Sequence, residues 1–295
     1  MTTGSAAAGT PARRCGVLGD PVAHSLSPVL HRAGYAAVGL DWSYDAHRVP
    51  AGGLAGFLEG LDASWRGLSL TMPLKREAFD LADRLTERAR RAGGVNTLVI
   101  EDDGTRTGDN TDLPGAAAAI RERTSAPLAS AVVLGGGATA TSVGLAVADL
   151  GVRTIAVAVR DESRASETLA ALRGHPSAPD VRVTSLGDGQ WSTDPGPGAG
   201  ASTVDVVVST IPAAAQSSDL VSRCAGVPVV FEALYDPWPT PLAAAALASG
   251  RVVVSGMDLL VHQAALQFEL FTGQPAPVDA MRIAGERALA ARNPA

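Results

Sequence analysis

Val132-Val133-Leu134-Gly135-Gly136-Gly137-Ala138-Thr139-Ala140 passes from an apolar run, through three glycines, into a small-residue segment that continues to Leu150. The run Ala131–Leu134 suits a strand buried on both faces, and the residues from Ala138 onward suit a helix packed closely upon it. The spacing is GxGxxA. Gly135 permits a tight turn, Gly137 lets backbone approach a pyrophosphate, and Ala140 allows the helix to lie against the strand. Unsatisfied N–H groups and the positive end of the helix dipole would then face the phosphates. A bare GxGxxA also occurs as a turn without a ligand. Here strand, turn and helix fall in the required order, which favours dinucleotide binding with Gly135, Gly136, Gly137, Ala138 and Thr139 at the phosphates.

The following strand, Thr154–Val159, ends where a ribose is read, roughly 20 residues past the glycines. The chain there is Arg160-Asp161-Glu162-Ser163-Arg164. Arg160 and Arg164 suit a 2'-phosphate through paired, charge-assisted bonds. Asp161 suits a free 2'-hydroxyl instead. NADP is the preferred cofactor, with NAD possible.

Working outward, strand and helix patterns alternate along most of the chain. Strands are expected at Cys15–Leu18, Trp42–Val49, Gly67–Leu70, Val181–Ser185, Val204–Ser209, Val229–Glu232 and Val252–Val254. Thr97–Ile100 and Thr105–Thr107 read as a hairpin across Asp103-Gly104. Helices are expected from Ser27, with Ser as N-cap and Pro28 at the first helical position, to about Val38, and over Leu54–Leu61. Further helices are expected over Lys75–Arg91, Asp112–Thr124 with Asp112 as cap, Ala165–Leu172, Leu242–Ser249, Met257–Thr272 and Asp279–Ala291. Such alternation predicts parallel sheets covered on both faces. Gly187–Ser202, rich in Gly, Pro, Ser and Asp, reads as a surface loop.

A chain of 295 residues suits two domains. The formal charge of -6 opposes nucleic acid as the main partner, because phosphate binding needs a basic face. Cys15 and Cys224 lie on separate elements without CxxC spacing, so neither a disulfide framework nor a zinc site is expected and no metal is assigned. Residues 1–12 lack an apolar core and read as a disordered lead-in rather than a signal peptide. No apolar run is long enough to span a membrane. A cytoplasmic protein is expected. Neither GxSxG nor HExxH occurs. His24, His31, His47 and His262 read as packing or supporting groups, and His175 as a loop residue.

Blocks spread over nearly the whole chain, in order, resemble the shikimate dehydrogenase family. Gly19-Asp20-Pro21-Val22-Ala23-His24-Ser25-Leu26-Ser27-Pro28 is similar to its amino-terminal signature, which implies that Ser25 and Ser27 donate to a substrate carboxylate. Leu70-Thr71-Met72-Pro73-Leu74-Lys75 resembles its NVTxPxK block, implying Lys75 as catalytic lysine and Thr71 as a substrate-hydroxyl contact. Ser69 stands where Asn is usual, which implies the loss of a side-chain bond that steadies this loop. Gly93-Gly94-Val95-Asn96-Thr97 resembles the Asn-Thr turn, with Asn96 on a ring hydroxyl, and Gly108-Asp109-Asn110-Thr111-Asp112 the NTD block, with Asp112 as partner of Lys75. Ser209-Thr210-Ile211-Pro212 falls where the nicotinamide end is expected. Tyr235-Asp236-Pro237 with Thr240-Pro241-Leu242 is similar to the family's YxPxxTxL run and puts Tyr235 near the substrate. Gly256 and Gln263 match the last block, with Gly256 backbone at the nicotinamide amide and Gln263 on a substrate hydroxyl. Ala138 departs from the pattern, where a further glycine is common.

The resemblance implies an α/β fold of two domains, an α/β substrate-binding domain and a Rossmann-type doubly wound dinucleotide-binding domain. Residues 13–112 and 256–295 would form the first and residues 113–255 the second. It implies reversible, NADPH-dependent reduction of 3-dehydroshikimate to shikimate, a small carboxylate, by a monomer or homodimer. The alternatives are a quinate or amino-shikimate dehydrogenase using NAD, or a catalytically inactive nucleotide-binding relative. Retention of both Lys75 and Asp112 argues against the last.

Overall fold

The computed structural model describes residues 12–187 and 204–292. The expected lead-in, apart from residue 12, and the expected loop beyond Gly187 lie outside the described residues.

Two six-stranded sheets form the scaffold. The second contains the opening stretch: β7 (Ser130–Leu134), every residue buried, leads through the glycines into α6 (Ala138–Asp149). Its other strands are β8 (Thr154–Val159), β9 (Asp180–Ser185), β10 (Val206–Ser209), β11 (Val229–Glu232) and β12 (Val252–Val254). All pair in parallel, in the order β12-β11-β10-β7-β8-β9. The order reverses between β7 and β10, so a crevice opens at their carboxyl ends, the place where doubly wound sheets bind ligands. α5 (Asp112–Arg123), α6 and α7 (Ser166–Arg173) cover one face, while α8 (Ser218–Arg223) and α9 (Pro241–Ala248) cover the other. Ala and Val dominate both layers, and these short side chains let the glycine turn and its helix sit tight against the strands. α8 was not expected from the sequence; its short polar stretch starts on Ser217, whose hydroxyl accepts from Leu220 N–H at 3.3 Å.

The first sheet runs β2-β1-β3-β5-β6-β4. Its strands are β1 (Arg14–Gly19), β2 (Ser43–Arg48), β3 (Trp65–Leu70), β4 (Arg84–Leu85), β5 (Thr97–Ile100) and β6 (Arg106–Asp109). It is mixed rather than parallel, because the expected hairpin places β5 antiparallel to both β3 and β6. The carboxyl ends of β1, β3 and β6 and the start of β5 therefore meet at one rim. α1 (Ser27–Ala37), α10 (Gly256–Thr272) and α11 (Val278–Arg292) pack on one face, and α2 (Leu54–Glu59), α3 (Lys75–Leu81) and α4 (Glu87–Ala92) on the other.

The helix expected over Lys75–Arg91 is instead interrupted. Asp83 accepts from Arg106 N–H at 2.8 Å, β4 pairs with β6, and Thr86 restarts the chain by capping Ala89 N–H at 3.2 Å. Sheet pairing overrides a helical charge pattern here. α5 leaves the first sheet for the second and α10 returns, packed against each other. Asp258 ties them together: it completes a capping box with Ser255 and takes Arg123 and Arg282 as ion-pair partners at 2.6 and 2.8 Å. Burial opposes the Asp258 charge, yet the bonds from Arg123 and Ser255 outweigh it and hold the carboxyl below its ordinary range. No helix of the described residues is long and apolar enough to cross a membrane.

Candidate active site

Lys75 opens α3 immediately beyond the carboxyl end of β3, and Asp112 opens α5 beyond β6. Convergence of those strands brings together two residues 37 positions apart, and Lys75 Nζ donates to Asp112 Oδ2 at 2.5 Å. Asp112 was expected to cap its helix. Thr111 occupies the cap position without a side-chain bond, and Asn110 Oδ1 instead accepts from Leu113 N–H at 3.1 Å. The Asp112 carboxylate is thus released for Lys75.

Asn96, at the start of β5, holds the other carboxylate oxygen, donating from Nδ2 to Asp112 Oδ1 at 2.8 Å. Its own carbonyl oxygen accepts from Thr111 N–H at 2.8 Å and from the Thr97 hydroxyl at 2.8 Å. Both ends of the amide are fixed, so the acid is anchored before any ligand arrives.

A cavity of about 200 Å³ lies over this pair. That is below the range of drug-sized sites, roughly 300–1,000 Å³, and suits one small metabolite. Ser25, Ser27, Thr71, Lys75, Asn96, Asp112, Tyr235 and Gln263 all line it, with Thr139 and Gly256. α1 begins at Ser27 with Leu26 at the cap, so Ser27 stands one position inside the helix rather than capping it. Ser25 Oγ accepts from Ser27 N–H at 3.3 Å, and the two hydroxyls stay together at a helix start. Burial raises the Tyr235 phenol, keeping it neutral and able to donate. Gln263 is buried and gives one amide hydrogen to Leu260 O within its helix at 2.8 Å.

The loosened loop expected from Ser69 is not found. Ser69 Oγ accepts from Tyr44 OH at 2.5 Å and donates to Gln267 Oε1 at 2.7 Å. Gln267 also donates to Asn96 O at 3.1 Å and to Thr97 Oγ1 at 3.0 Å. Tyr44 and Gln267 therefore do the work assigned to an asparagine, and Gln267 lines the cavity. Sequence reasoning missed both. Only the placement of Gln267 one helical turn after Gln263 could have pointed to it.

A groove leads from this cavity across the glycine turn. Thr71, Lys75, Gly135, Gly136, Gly137, Ala138, Thr139 and Thr210 line one part of it, and Gly135–Gly137 with Arg160, Asp161 and Arg164 another. Each glycine has its own reason. Gly135 has φ +113°, and a Cβ there would lie 2.4 Å from Thr210 Oγ1. At Gly136 a Cβ would meet Ala165 Cβ at 2.6 Å. At Gly137 nothing stands within 4 Å, so protein packing does not demand a glycine and the space is open to a ligand. No side chain caps α6, whose first turn faces this groove. The residues present thus fit a dinucleotide diphosphate.

Asp161 is committed locally. Its Oδ1 accepts from Ser163 N–H at 3.0 Å and Ser163 Oγ at 2.7 Å, capping a short 3-10 turn, and these bonds hold its carboxyl below the ordinary range. Arg160 and Arg164 line the groove beside it; among the described residues neither forms a close ion pair, and Arg164 acts on Asp161 only through its charge. His175 lies in the turn after α7, as expected; it is buried, bonded to Asp149 at 2.8 Å, and lines neither the cavity nor the groove. The described residues contain no group of side chains arranged to hold a metal ion.

Residues 17–98 match the model of the shikimate dehydrogenase substrate binding domain, and residues 256–283 that of the shikimate 5'-dehydrogenase C-terminal domain. A shikimate dehydrogenase (NADP(+)) of Methylobacterium radiotolerans is 38% identical over 267 residues, 88% of this chain and 91% of the relative. The chain belongs to the shikimate dehydrogenase family. Among solved structures, the shikimate dehydrogenase of Mycobacterium tuberculosis matches at 38% identity with a TM-score of 0.82, covering 93% of this chain and 99% of the other. The Thermus thermophilus shikimate 5-dehydrogenase in complex with NADP(H) and shikimate matches at 29% identity and a TM-score of 0.76, covering 94% and 99%. Membership accounts for the two-sheet α/β architecture and the doubly wound second sheet expected from the resemblance.

Proposed function

We propose that this chain catalyses the reversible, NADP-dependent interconversion of shikimate and 3-dehydroshikimate. The observation that carries this reading is the Lys75–Asp112 pair at 2.5 Å, in a small cavity that continues into the groove over the glycine turn. The nicotinamide, when bound, supplies or accepts the hydride; the chain's task is to position the ring and move one proton.

In the reducing direction the Lys75 ammonium donates a proton to the alkoxide that develops on the ring oxygen. In the oxidising direction neutral Lys75 takes the hydroxyl proton. Asp112 fixes Nζ, and Asn96 fixes Asp112. Thr71, Asn96 and Gln263 address ring hydroxyls, and Tyr235 closes the cavity as a neutral donor. Ser25 and Ser27 donate to the substrate carboxylate, which gains further from the start of α1. Gly135 through Thr139 hold the diphosphate, and Thr210 and Gly256 the nicotinamide end. Arg160 and Arg164 take the 2'-phosphate. The two arginines lining the groove support NADP over NAD, and Ser163 already occupies one oxygen of Asp161.

On this reading residues 13–112 and 256–295 carry the substrate and residues 113–255 the dinucleotide. A cytoplasmic monomer or homodimer completes the proposal. The test is turnover with shikimate or quinate, each with NADP⁺ or NAD⁺. Fastest turnover with shikimate and NADP⁺ is expected; a preference for quinate with NAD⁺ would assign the chain to the sister activity, and no turnover in any combination would make it a binding protein.

A further inference from the structure

The groove over the glycine turn has a second wall, built by the first sheet. Met72, Pro73, Lys75 and Arg76, between β3 and the first turn of α3, lie opposite Gly135–Ala140 and Thr210–Pro212. Lys75 and Arg76 are the cations lining it among the described residues, and Lys75 is engaged by Asp112. Met72 is 68% exposed, an apolar side chain left uncovered at the lip of the groove.

Arg76 reaches across the cleft and forms an ion pair with Glu167, in the first turn of α7 on the second sheet. The next residue, Thr168, donates to Gly136 O at 2.9 Å and meets the Thr141 hydroxyl at 2.7 Å. The first turn of α7, which carries Glu167, is therefore fastened beside the phosphate-binding turn. A carboxylate in that place repels a diphosphate unless a cation covers it. Arg76 is that cation, and its pair with Glu167 is half-exposed, so it is weak and readily exchanged.

We propose that Arg76 is a cofactor-binding residue contributed by the substrate side. Its guanidinium pairs with Glu167 in the free protein and transfers to the diphosphate when the dinucleotide binds. A guanidinium fork suits two phosphate oxygens at once. Because Arg76 comes from the opposite sheet, the transfer couples cofactor binding to closure of the cleft above Lys75. The inference rests on reading the groove as a dinucleotide site.

The experiment is calorimetric NADP⁺ binding to the full chain, comparing wild type with Arg76→Ala, Arg76→Lys, Glu167→Gln and the double variant Arg76→Ala/Glu167→Gln, at low and high salt. Adenosine 2'-monophosphate, which lacks the diphosphate, is the control probe. Arg76→Ala should weaken NADP⁺ binding about ten- to a hundred-fold, with Arg76→Lys between it and wild type. Glu167→Gln should tighten it by roughly two- to five-fold. The double variant should stay nearly as weak as Arg76→Ala, the salt dependence should flatten wherever Arg76 is lost, and the monophosphate should bind every variant equally. Recovery of wild-type affinity in the double variant would mean that Arg76 only neutralises Glu167, and overturns the proposal. So does unchanged NADP⁺ binding in Arg76→Ala. Failure of the wild type itself to bind NADP⁺, by contrast, removes the dinucleotide reading and the inference with it.

Discussion

Replacing Lys75 by Met removes the ammonium but keeps an unbranched side chain of similar reach. Lys75 and Asp112 are 15% and 10% exposed, so the change leaves a largely buried carboxylate without its cation. Orphaning a fully buried charge costs about 3–5 kcal/mol. Asp112 keeps the Asn96 amide at 2.8 Å and some contact with solvent, which reduces the expected loss of stability to about 1–3 kcal/mol. Catalysis suffers more. Loss of the group that moves the proton lowers kcat by roughly 10²–10⁴-fold, about 3–5 kcal/mol of barrier. The hydroxyls of Ser25, Ser27 and Thr71 remain in the cavity, so KM for shikimate should move by less than about tenfold, the value of one ordinary hydrogen bond. The assay is steady-state NADP⁺ reduction by shikimate, with thermal melts to verify that the variant is folded. A folded Lys75→Met enzyme with kcat within about threefold of wild type refutes the reasoning. A loss confined to KM refutes it too, because Lys75 would then bind substrate without moving its proton.

The glycine turn supplies a paired prediction. Gly136→Ala places a methyl 2.6 Å from Ala165 Cβ and 2.9 Å from Ala165 Cα, where only backbone movement can relieve it, so a loss of about 1–3 kcal/mol should appear in urea unfolding. Gly137→Ala meets no protein atom within 4 Å and should unfold like wild type while binding NADP⁺ more weakly; normal NADP⁺ affinity in that variant would remove Gly137 from the phosphate site. His31 offers a pH prediction. It is buried and stacked on Tyr44 with centroids 4.1 Å apart, and burial lowers its pKa from 6.5 to about 3, with only partial compensation from Gln267. Between those two values the unfolded chain binds the extra proton, so stability is intact above pH 6.5 and falls as pH drops toward about 3, by up to ~1.4 kcal/mol per pH unit. His31→Phe keeps the stacked ring without the titration and should make the acid limb shallower; superimposable limbs from unfolding at stepped pH would show that His31 does not contribute.

Short-range patterns carried much of the architecture. Thr154–Val159, Val229–Glu232 and Val252–Val254 form strands at the bounds read from the apolar runs, because strands buried on both faces have continuous hydrophobic sequence. The turn from Gly135 to Ala140 was legible for the same reason, since its strand, turn and helix are adjacent in the chain. Local signals failed where tertiary partners compete with them. The helical charge pattern of Lys75–Arg91 gave way to β4 once β6 lay alongside. Asp112, a natural cap by type, was taken by Lys75, while Asp161, which looked available to a ribose, proved to cap its own turn.

By itself the sequence determined the α/β alternation, the doubly wound half and its phosphate turn, all of which follow from side-chain periodicity and glycine placement within a few residues. The order of motif blocks named the family and pointed to Lys75 and Asp112, but resemblance carries no distances. The tertiary structure alone decided that Lys75 meets Asp112 across 37 positions, that Gln267 reaches Ser69 across 198, and that Arg76 on one sheet faces Glu167 on the other. Such pairs are made by strand order and helix packing, which bring distant segments to a common rim, and no local pattern in the chain records which segments will meet there.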